Sequence, residues 1–480
     1  MANSNKKVTA IASKEENLTQ WYTDVCLKAE LMDYTAAKGF IIYRPDGYAL
    51  WEEIQAYLDK RYKEIGVRNV ALPTLIPMSL LNKEKEHING FAPECFEVTR
   101  AGGKELADPF VVRPTSETLF CDYFKNVVHS YNDLPIMNNQ WCSVLRAEKT
   151  TRPFLRGSEF LWQECHALHL TENDSRNFAL SMLKIYYDLG RDMLALPFVM
   201  GQKPSSEKFA GAVSTYTIEG LMPDGQALQC GTTHYLGTDF CKNFGIRYQD
   251  KNNQIAYPHY SSHGASTRLL GAMIMFHGDD NGLVLPPKVA PTQVVIIPIR
   301  FDKDPNILKV SKEIQEALKK EGVRVYLDDS NKTPGWKFSQ YEMKGIPLRI
   351  EIGPKDLANG QVTITRRFDG FKKTLGLNEI EKAVKVELQE AQDGLYQKAY
   401  DYLKSHIITC RTKEEIEDTL VNHKGFVRMM AEDTAEEERY MKEKYNATPR
   451  VLPFDETPFD DKDPITGNKA DKVLYFDRAY

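Results

Sequence analysis

Residues 144–170 of this 480-residue chain, VLRAEKTTRPFLRGSEFLWQECHALHL, carry its densest group of chemically capable side chains. Arg146 and Glu148 precede a short basic turn. Arg156 follows the turn, and Phe160 comes four residues later. A guanidinium is planar, stays charged at any working pH and donates bidentately to phosphate or carboxylate oxygens. Two of them across one turn suit a reaction that must bring two anions together. Glu148 is able to accept from an exocyclic amine, and Phe160 is able to form one face of a slot for a planar base. A hairpin with a solvated charged tip would use the same residues, so the rest of the chain has to decide between the two.

A second constellation lies at residues 261–287, SSHGASTRLLGAMIMFHGDDNGLVLPP. Gly264 permits close backbone approach, Arg268 is another fixed cation, and Leu269 to Phe276 read as a buried helix. Further upstream, Leu50, Trp51, Ile54, Tyr57, Leu58, Tyr62 and Ile65 recur at helical spacing after a Pro45-Asp46-Gly47 turn. Gly66 sits where a C′ glycine belongs, and "VRNVALP" reads as a strand ending at Pro73. Arg-x-Glu, loop, Arg-x-x-x-Phe resembles motif 2 of the class II aminoacyl-tRNA synthetases. The segment holding Arg268 resembles their motif 3, and the helix with its strand resembles their motif 1, the dimer interface of that family. VVRPTSET, FLRGSEFLWQECH, LQCGTTHYLGTDF, ASTRLLGAMIMFHGDDNGLVLPP and KTPGWKFSQYEMKGIPLRIEIGPKDL follow one another in order. Together they resemble the prolyl-tRNA synthetase family, in its archaeal/eukaryote-like form with a C-terminal extension, from about Trp21 to Tyr480.

The resemblance implies ATP-dependent attachment of L-proline to tRNA(Pro) in two steps through prolyl-adenylate, with magnesium accompanying ATP. It implies that Thr115 and Glu117 hold the amino acid's nitrogen. Proline's protonated secondary amine has two N–H donors and one charge, which a hydroxyl and a carboxylate complement. Arg146 then touches both the proline carboxylate and the α-phosphate. Trp162, Glu164 and His166 line and brace the proline pocket, joined by His234. Glu148, Arg156, Phe160, Gln229, Thr232, Ser266 and Arg268 fall beside ATP, with Gln229 the possible magnesium contact. Arg146 and Arg268 carry the catalytic charge stabilisation, since a carboxylate attack on phosphate needs no protein nucleophile. No Gly-x-x-x-x-Gly-Lys loop is present.

The elements that must position these groups divide the chain in three. Residues 1–289 are expected to form an α+β catalytic domain, an antiparallel sheet with flanking helices. Residues 290–400, after the proline-rich Gly282–Gln293 linker, alternate strands and amphipathic helices and imply an α/β anticodon-binding domain with a mixed sheet. Residues 401–480 are expected to be a small α+β C-terminal domain. In the middle unit Lys337, Arg349, Lys355, Arg366 and Arg367 are candidates for RNA contact, and each is equally readable as a plain surface charge.

Composition sets the outer limits. An apolar fraction of 42% and a charged fraction of 27% describe a soluble globular chain. The net charge of −5 confines any RNA contact to local patches. Eight scattered cysteines suggest reduced thiols and a cytoplasmic location. The N-terminus has no apolar h-region, the first dozen residues read as frayed, and no run is long enough to cross a membrane.

Three departures from the family stand out. Its four-cysteine C-terminal zinc site is reduced to Cys410, and one thiolate cannot make a four-coordinate structural site, so no zinc is expected. His263 stands where a tryptophan is expected, which puts the shape of the nearby pocket in question. Gly157 stands where threonine or serine is common, so one hydroxyl on the ATP side is missing. Only about a hundred residues separate motif 2 from motif 3, so the bacterial-type editing insert has no room. The rivals are another class II enzyme, threonyl or histidyl, against which PTSE with WQECH argues, and a silent synthetase-like binder. Retention of Arg146, Glu148, Arg156 and Arg268 argues against the latter.

Overall fold

A computed structural model of the chain describes residues 11–83 and 95–480; residues 1–10, most of the expected frayed terminus, lie outside it. The helix read from period 3.6 spans Pro45–Glu64, with proline at its first turn, where a missing N–H costs nothing. Gly66 closes it at φ +86°, a left-handed conformation that disfavours side chains. The helix buries Leu50, Trp51, Ile54, Leu58 and Tyr62. Trp51 and Tyr62 pack on Trp141, at ring-centroid distances of 5.9 and 6.3 Å. The strand expected next is short: only Arg68–Asn69 is paired, in parallel with Asn138 and Asn139. Beyond it side chains replace the ladder. Gln140 Oε1 accepts from Leu72 N at 3.0 Å, and Arg113 donates to the Leu72 and Pro73 carbonyls at 2.9 and 3.2 Å.

An eleven-stranded sheet forms the main layer. Its central portion runs Val199–Gln202, Ser214–Leu221, Ala227–Gly237, His259–Ser266, Glu159–His169 and Ile136–Leu145, all antiparallel. The last two strands are the hairpin that carries Arg146 and Arg156 in its connection. Helix Glu172–Asp192 covers one face of this portion. The apolar run after Arg268 is a buried helix, Arg268–His277, as its hydrophobicity requires.

The C-terminal strands continue the same sheet. Thr448–Pro453 pairs antiparallel with Val199–Gln202, and Lys472–Asp477, Phe426–Ala431 and Ile407–Thr409 follow outward. The join depends on Gly201. A Cβ there would lie 2.2 Å from the Leu452 carbonyl oxygen.

The middle unit is a five-stranded mixed sheet in the order Val325–Leu327, Val294–Pro298, Leu348–Ile352, Gln361–Arg366, Lys372–Gly376. Its first three strands are parallel. Helix Ile380–Ser405 leads from it to the C-terminal strands. The proline-rich segment before this unit is not a loose linker. Leu283, Val284 and Leu285 are buried, and Leu283 N and Leu285 N donate to the carbonyls of Met343 and Gly345.

Four of the five candidate RNA-contacting cations are committed internally. Lys337 is 1% exposed and pairs with Asp328 at 3.2 Å. Arg349 pairs with Glu351 at 2.9 Å. Arg366 pairs with Glu387 at 2.9 Å and Asp369 at 2.5 Å. Arg367 forks onto Asp279 at 2.6 and 2.8 Å, fastening this unit to the end of the motif 3 segment. Lys355 is exposed.

The C-terminal portion contains one acid pair with a consequence for stability. Glu437 accepts from the backbone N–H groups of Glu432 and Thr434, closing a capping box on helix Ala435–Tyr445. Burial, and then the Asp463 carboxyl beside it, push Glu437 up from 4.5 to about 7. Folding therefore takes up a proton. The cost is absent below about pH 4.5, grows across the window and is complete above pH 7. Asp463 Oδ1 accepts from Ile465 N and Thr466 N, whereas Oδ2 is buried without a partner. Asp463→Asn keeps the first set and offers Glu437 a donor. It is expected to raise the melting temperature near pH 8 and to flatten the gain on acidification toward pH 5.5. An unchanged pH profile of melting would contradict this.

Candidate active site

The sheet positions the predicted residues around one cleft of about 280 Å³. Trp162, Glu164 and His166 alternate along strand Glu159–His169 and so face the same side. Thr232 and His234 come from strand Ala227–Gly237, and Ser266 and Arg268 from the strand–helix junction. Thr115, Glu117, Arg146, Phe160 and Gln229 complete the predicted part of the lining.

Glu164 is the hub. It accepts from Ser116 N at 3.1 Å, from Ser116 Oγ and Gln140 Nε2 at 2.5 Å each, and from His166 Nε2 at 3.4 Å. Burial alone would raise its carboxyl, but the hydrogen bonds from His166, Ser116 and Gln140 outweigh it and hold Glu164 below the ordinary value. An ionised Glu164 requires the proton of His166 on Nε2. His166 Nδ1 lies 2.6 Å from Tyr260 OH, and Phe120 stacks on the ring at 3.9 Å. Ser116 stands between Thr115 and Glu117, so this network fixes both at once. Thr115 Oγ1 donates to Glu117 Oε2 at 2.6 Å, a ready acceptor–hydroxyl pair for a protonated amine. Serine 116, Gln140 and Tyr260 were not singled out from sequence; they lie outside the motif positions that mark ligand contact.

Arg146 Nε donates to the Pro114 carbonyl at 3.1 Å, and its guanidinium lies over the rings of Phe160 and Trp162 at 5.4 and 5.6 Å. Arg268 Nε and Nη1 donate to the Leu155 and Gln229 carbonyls at 3.0 and 3.2 Å. Burial, then the neighbouring Arg156 and Arg146, lower the Arg268 pKa. Three like charges crowded together with main-chain carbonyl support form a site that an anion relieves. Arg156 lines an adjoining cavity of about 190 Å³, which shares Arg268 and is walled by Tyr480. Arg156 Nη2 donates to Tyr480 O at 3.2 Å. Glu148 lines neither cavity. It sits in the hairpin loop, its N–H bonded to the Arg146 carbonyl.

His234 is pushed down to about 3 by burial and by His166, and so is neutral. Its Nδ1 meets Thr215 Oγ1 at 3.0 Å, and Phe209 stacks on its ring at 4.4 Å. Phe209, Thr215 and Glu207 also line the cleft. They carry no motif signal in the sequence: Glu207 and Phe209 reach the cleft on a loop folded onto the sheet, and Thr215 on the strand that follows it.

The geometry around His263 and Gly157 bears on both departures from the family. His263 borders the cleft, but its ring turns to the helix-covered face: Nδ1 donates to the Cys165 carbonyl at 2.8 Å and the ring packs edge-on against Phe178. Gly264, its neighbour, is what meets Trp162. At Gly157 a Cβ would lie 2.7 Å from the Glu159 carbonyl oxygen, so this turn is built for glycine. Cys410, the single tail cysteine, is buried with its thiol 3.3 Å from Thr419 Oγ1. Among the described residues no group of three or more His, Cys, Asp or Glu side chains is disposed to hold a metal, and no helix is long and apolar enough to cross a membrane.

An antiparallel sheet carrying arginines from a hairpin and from a strand–helix junction is the arrangement of a class II synthetase core, and residues 96–277 match the family described as tRNA synthetase class II core domain (G, H, P, S and T). Residues 293–387 match the anticodon binding domain, and residues 413–480 match "Prolyl-tRNA synthetase, C-terminal". Proline–tRNA ligase of Clostridium botulinum (strain Loch Maree / Type A3) is 50% identical over 481 residues, covering 100% of both chains. Those of Lachnoclostridium phytofermentans and Lachnospira eligens are 49% and 48% identical, again over 100% of both. The chain belongs to the prolyl-tRNA synthetase family.

Proposed function

We propose that this chain attaches L-proline to tRNA(Pro) at the expense of ATP. The observation that carries the reading is the single cleft in which the Thr115–Glu117 pair faces the Arg146–Arg268 cation cluster. In the first step a proline carboxylate oxygen attacks the α-phosphorus and pyrophosphate leaves. In the second, the 3′-hydroxyl at the tRNA terminus attacks the carbonyl carbon of prolyl-adenylate and AMP leaves. Thr115 and Glu117 receive the ring amine. Trp162 walls the pyrrolidine and His166 and His234 close the pocket. Arg146 bridges the carboxylate and α-phosphate, with Arg156 and Arg268 on the outer phosphates. Phe160 stacks on adenine, and Glu148 closes on its amine as the hairpin loop settles on ATP. Gln229 and Thr232, which line the cleft, would offer oxygens to the magnesium that accompanies ATP, and that ion would offset phosphate charge.

The finer assignments follow from the same reading. The chain divides at about residues 289 and 400 into catalytic, anticodon-binding and C-terminal domains. It is of the archaeal/eukaryote-like form, without zinc, and works in the cytoplasm. It pairs as a homodimer through the Tyr48–Ile65 region, where Tyr48 and Ile65 remain exposed.

Accuracy should be incomplete. A pocket shaped for proline rejects a smaller amino acid only by lost contacts, about 1–3 kcal/mol per missing methylene. Residues 170–258, between the two motifs, are taken up by helix Glu172–Asp192 and the catalytic strands, which supports the absence of an inserted editing domain. Activation of alanine, cysteine or both is expected, with no hydrolysis of alanyl-tRNA(Pro). Incubation with preformed alanyl-tRNA(Pro) checks this: deacylation above the spontaneous rate would contradict it.

A further inference from the structure

The loop that completes the amino-acid pocket is held by the C-terminal part of the chain. Strand Val199–Gln202 lies between catalytic strand Ser214–Leu221 and C-terminal strand Thr448–Pro453. The loop that leaves it, residues 203–213, starts at buried Lys203 and brings Glu207 and Phe209 to the cleft. Phe209 stacks on His234, and Phe209 N donates to Thr215 Oγ1, the hydroxyl that also meets His234 Nδ1. Near its start, two residues after Lys203, the loop is gripped by Asp433, more than two hundred residues away. Ser205 N lies 3.2 and 3.3 Å from the two Asp433 carboxylate oxygens, and Ser205 Oγ donates to Oδ2 at 2.8 Å. Asp433 is itself fixed. It adopts φ +65°, and its side chain is 10% exposed, with Lys472 Nζ at 4.0 Å. The segment around it is tied to Glu437 through Glu432 N and Thr434 N.

We infer that Asp433 is a positioning residue for the amino-acid pocket: by clamping Ser205 it holds Glu207 and Phe209 against the cleft and His234 in place. The C-terminal domain thereby sets amino-acid affinity without touching the substrate. The contacts of the clamp are charge-assisted and run to a backbone N–H as well as a hydroxyl, so losing the carboxylate frees the start of the loop. The ATP side, built on Arg156 and Arg268, shares none of these contacts.

This rests on proline being the substrate, and the test separates the two claims. Steady-state pyrophosphate exchange is measured for wild type, Asp433→Asn, Asp433→Ala and Ser205→Ala. Asparagine tolerates the left-handed backbone and keeps one acceptor. The KM for proline is expected to rise at least fivefold in Asp433→Ala, less in Asp433→Asn and Ser205→Ala, with the KM for ATP unchanged. Without any substrate, amide hydrogen exchange across residues 204–212 is expected to quicken in the same order. If Asp433→Ala fails to fold, the Ser205→Ala pair of readings decides, since only a surface hydroxyl is removed. Unchanged KM for proline with unchanged loop exchange would overturn the inference, as would equal rises in both KM values. A wild type active with another amino acid instead of proline would defeat the substrate assignment while leaving the hydrogen-exchange result to stand or fall by itself.

Discussion

Replacing Arg146 with alanine is expected to reduce proline-dependent ATP–pyrophosphate exchange by about 10²–10³-fold, roughly 3 kcal/mol of transition-state stabilisation, as for removal of a preorganised oxyanion donor. The guanidinium is held in advance by the Pro114 carbonyl and by the faces of Phe160 and Trp162, so little reorganisation accompanies charge development. Pro114 immediately precedes Thr115, so the carbonyl that holds Arg146 is one peptide from the Thr115–Glu117 pair. Lysine should recover only part of the loss, because a point charge cannot fork between carboxylate and phosphate. Exchange by the alanine variant within a few-fold of wild type would remove Arg146 from the clamp.

The second large effect is on folding. Glu219 is fully buried between two cations, Lys203 Nζ at 2.8 Å and Arg450 Nη2 at 2.8 Å. Thr217 Oγ1 supplies a further hydrogen bond at 2.8 Å. Burial would raise the Glu219 carboxyl, but Lys203 and Arg450 outweigh it and keep the group below its ordinary value; burial draws Lys203 down. Removing the carboxylate leaves two uncompensated charges in the seam between the catalytic and C-terminal strands. Glu219→Ala is therefore expected to cost about 3–5 kcal/mol, read as a lower thermal transition and as easier proteolytic release of residues beyond 400. Replacing all three groups with apolar side chains of similar volume should restore most of the loss, because the desolvation penalty vanishes with the pair. An alanine variant that melts with the wild type would show that the triad carries no net stability.

Local signals were the legible ones. The hairpin around Arg146 and Arg156 and the helix after Arg268 each announce themselves within some twenty-five residues, through alternation, punctuation and a fixed cation. The helix at Pro45–Glu64 likewise follows from its apolar spacing and its closing Gly66, but it starts earlier than its spacing suggests: Pro45-Asp46-Gly47, read as a turn before it, forms its first turn. What stayed hidden depends on pairing across long separations. Nothing near Gly201 declares that Leu452 will lie against it, so the continuation of the catalytic sheet into the C-terminal strands was not foreseen. Glu207 and Phe209 reach the cleft only because their loop is folded back by that junction. Charge is visible in a sequence, but its partner is not: Arg367 looks available for RNA until Asp279, 88 residues earlier, is seen to hold it. Departures from a motif are equally ambiguous. His263 replaces an expected tryptophan, yet its ring packs against Phe178 and its Nδ1 donates to the Cys165 carbonyl.

The central claim is that one cleft joins a site for proline's amine to a cation cluster for ATP. ATP–pyrophosphate exchange by the unmodified protein, run in parallel with each of the twenty amino acids, tests it most directly. Proline is predicted to support by far the fastest exchange, with alanine and cysteine as weak seconds. Exchange driven best by threonine, histidine or any other amino acid, or by none, would contradict it.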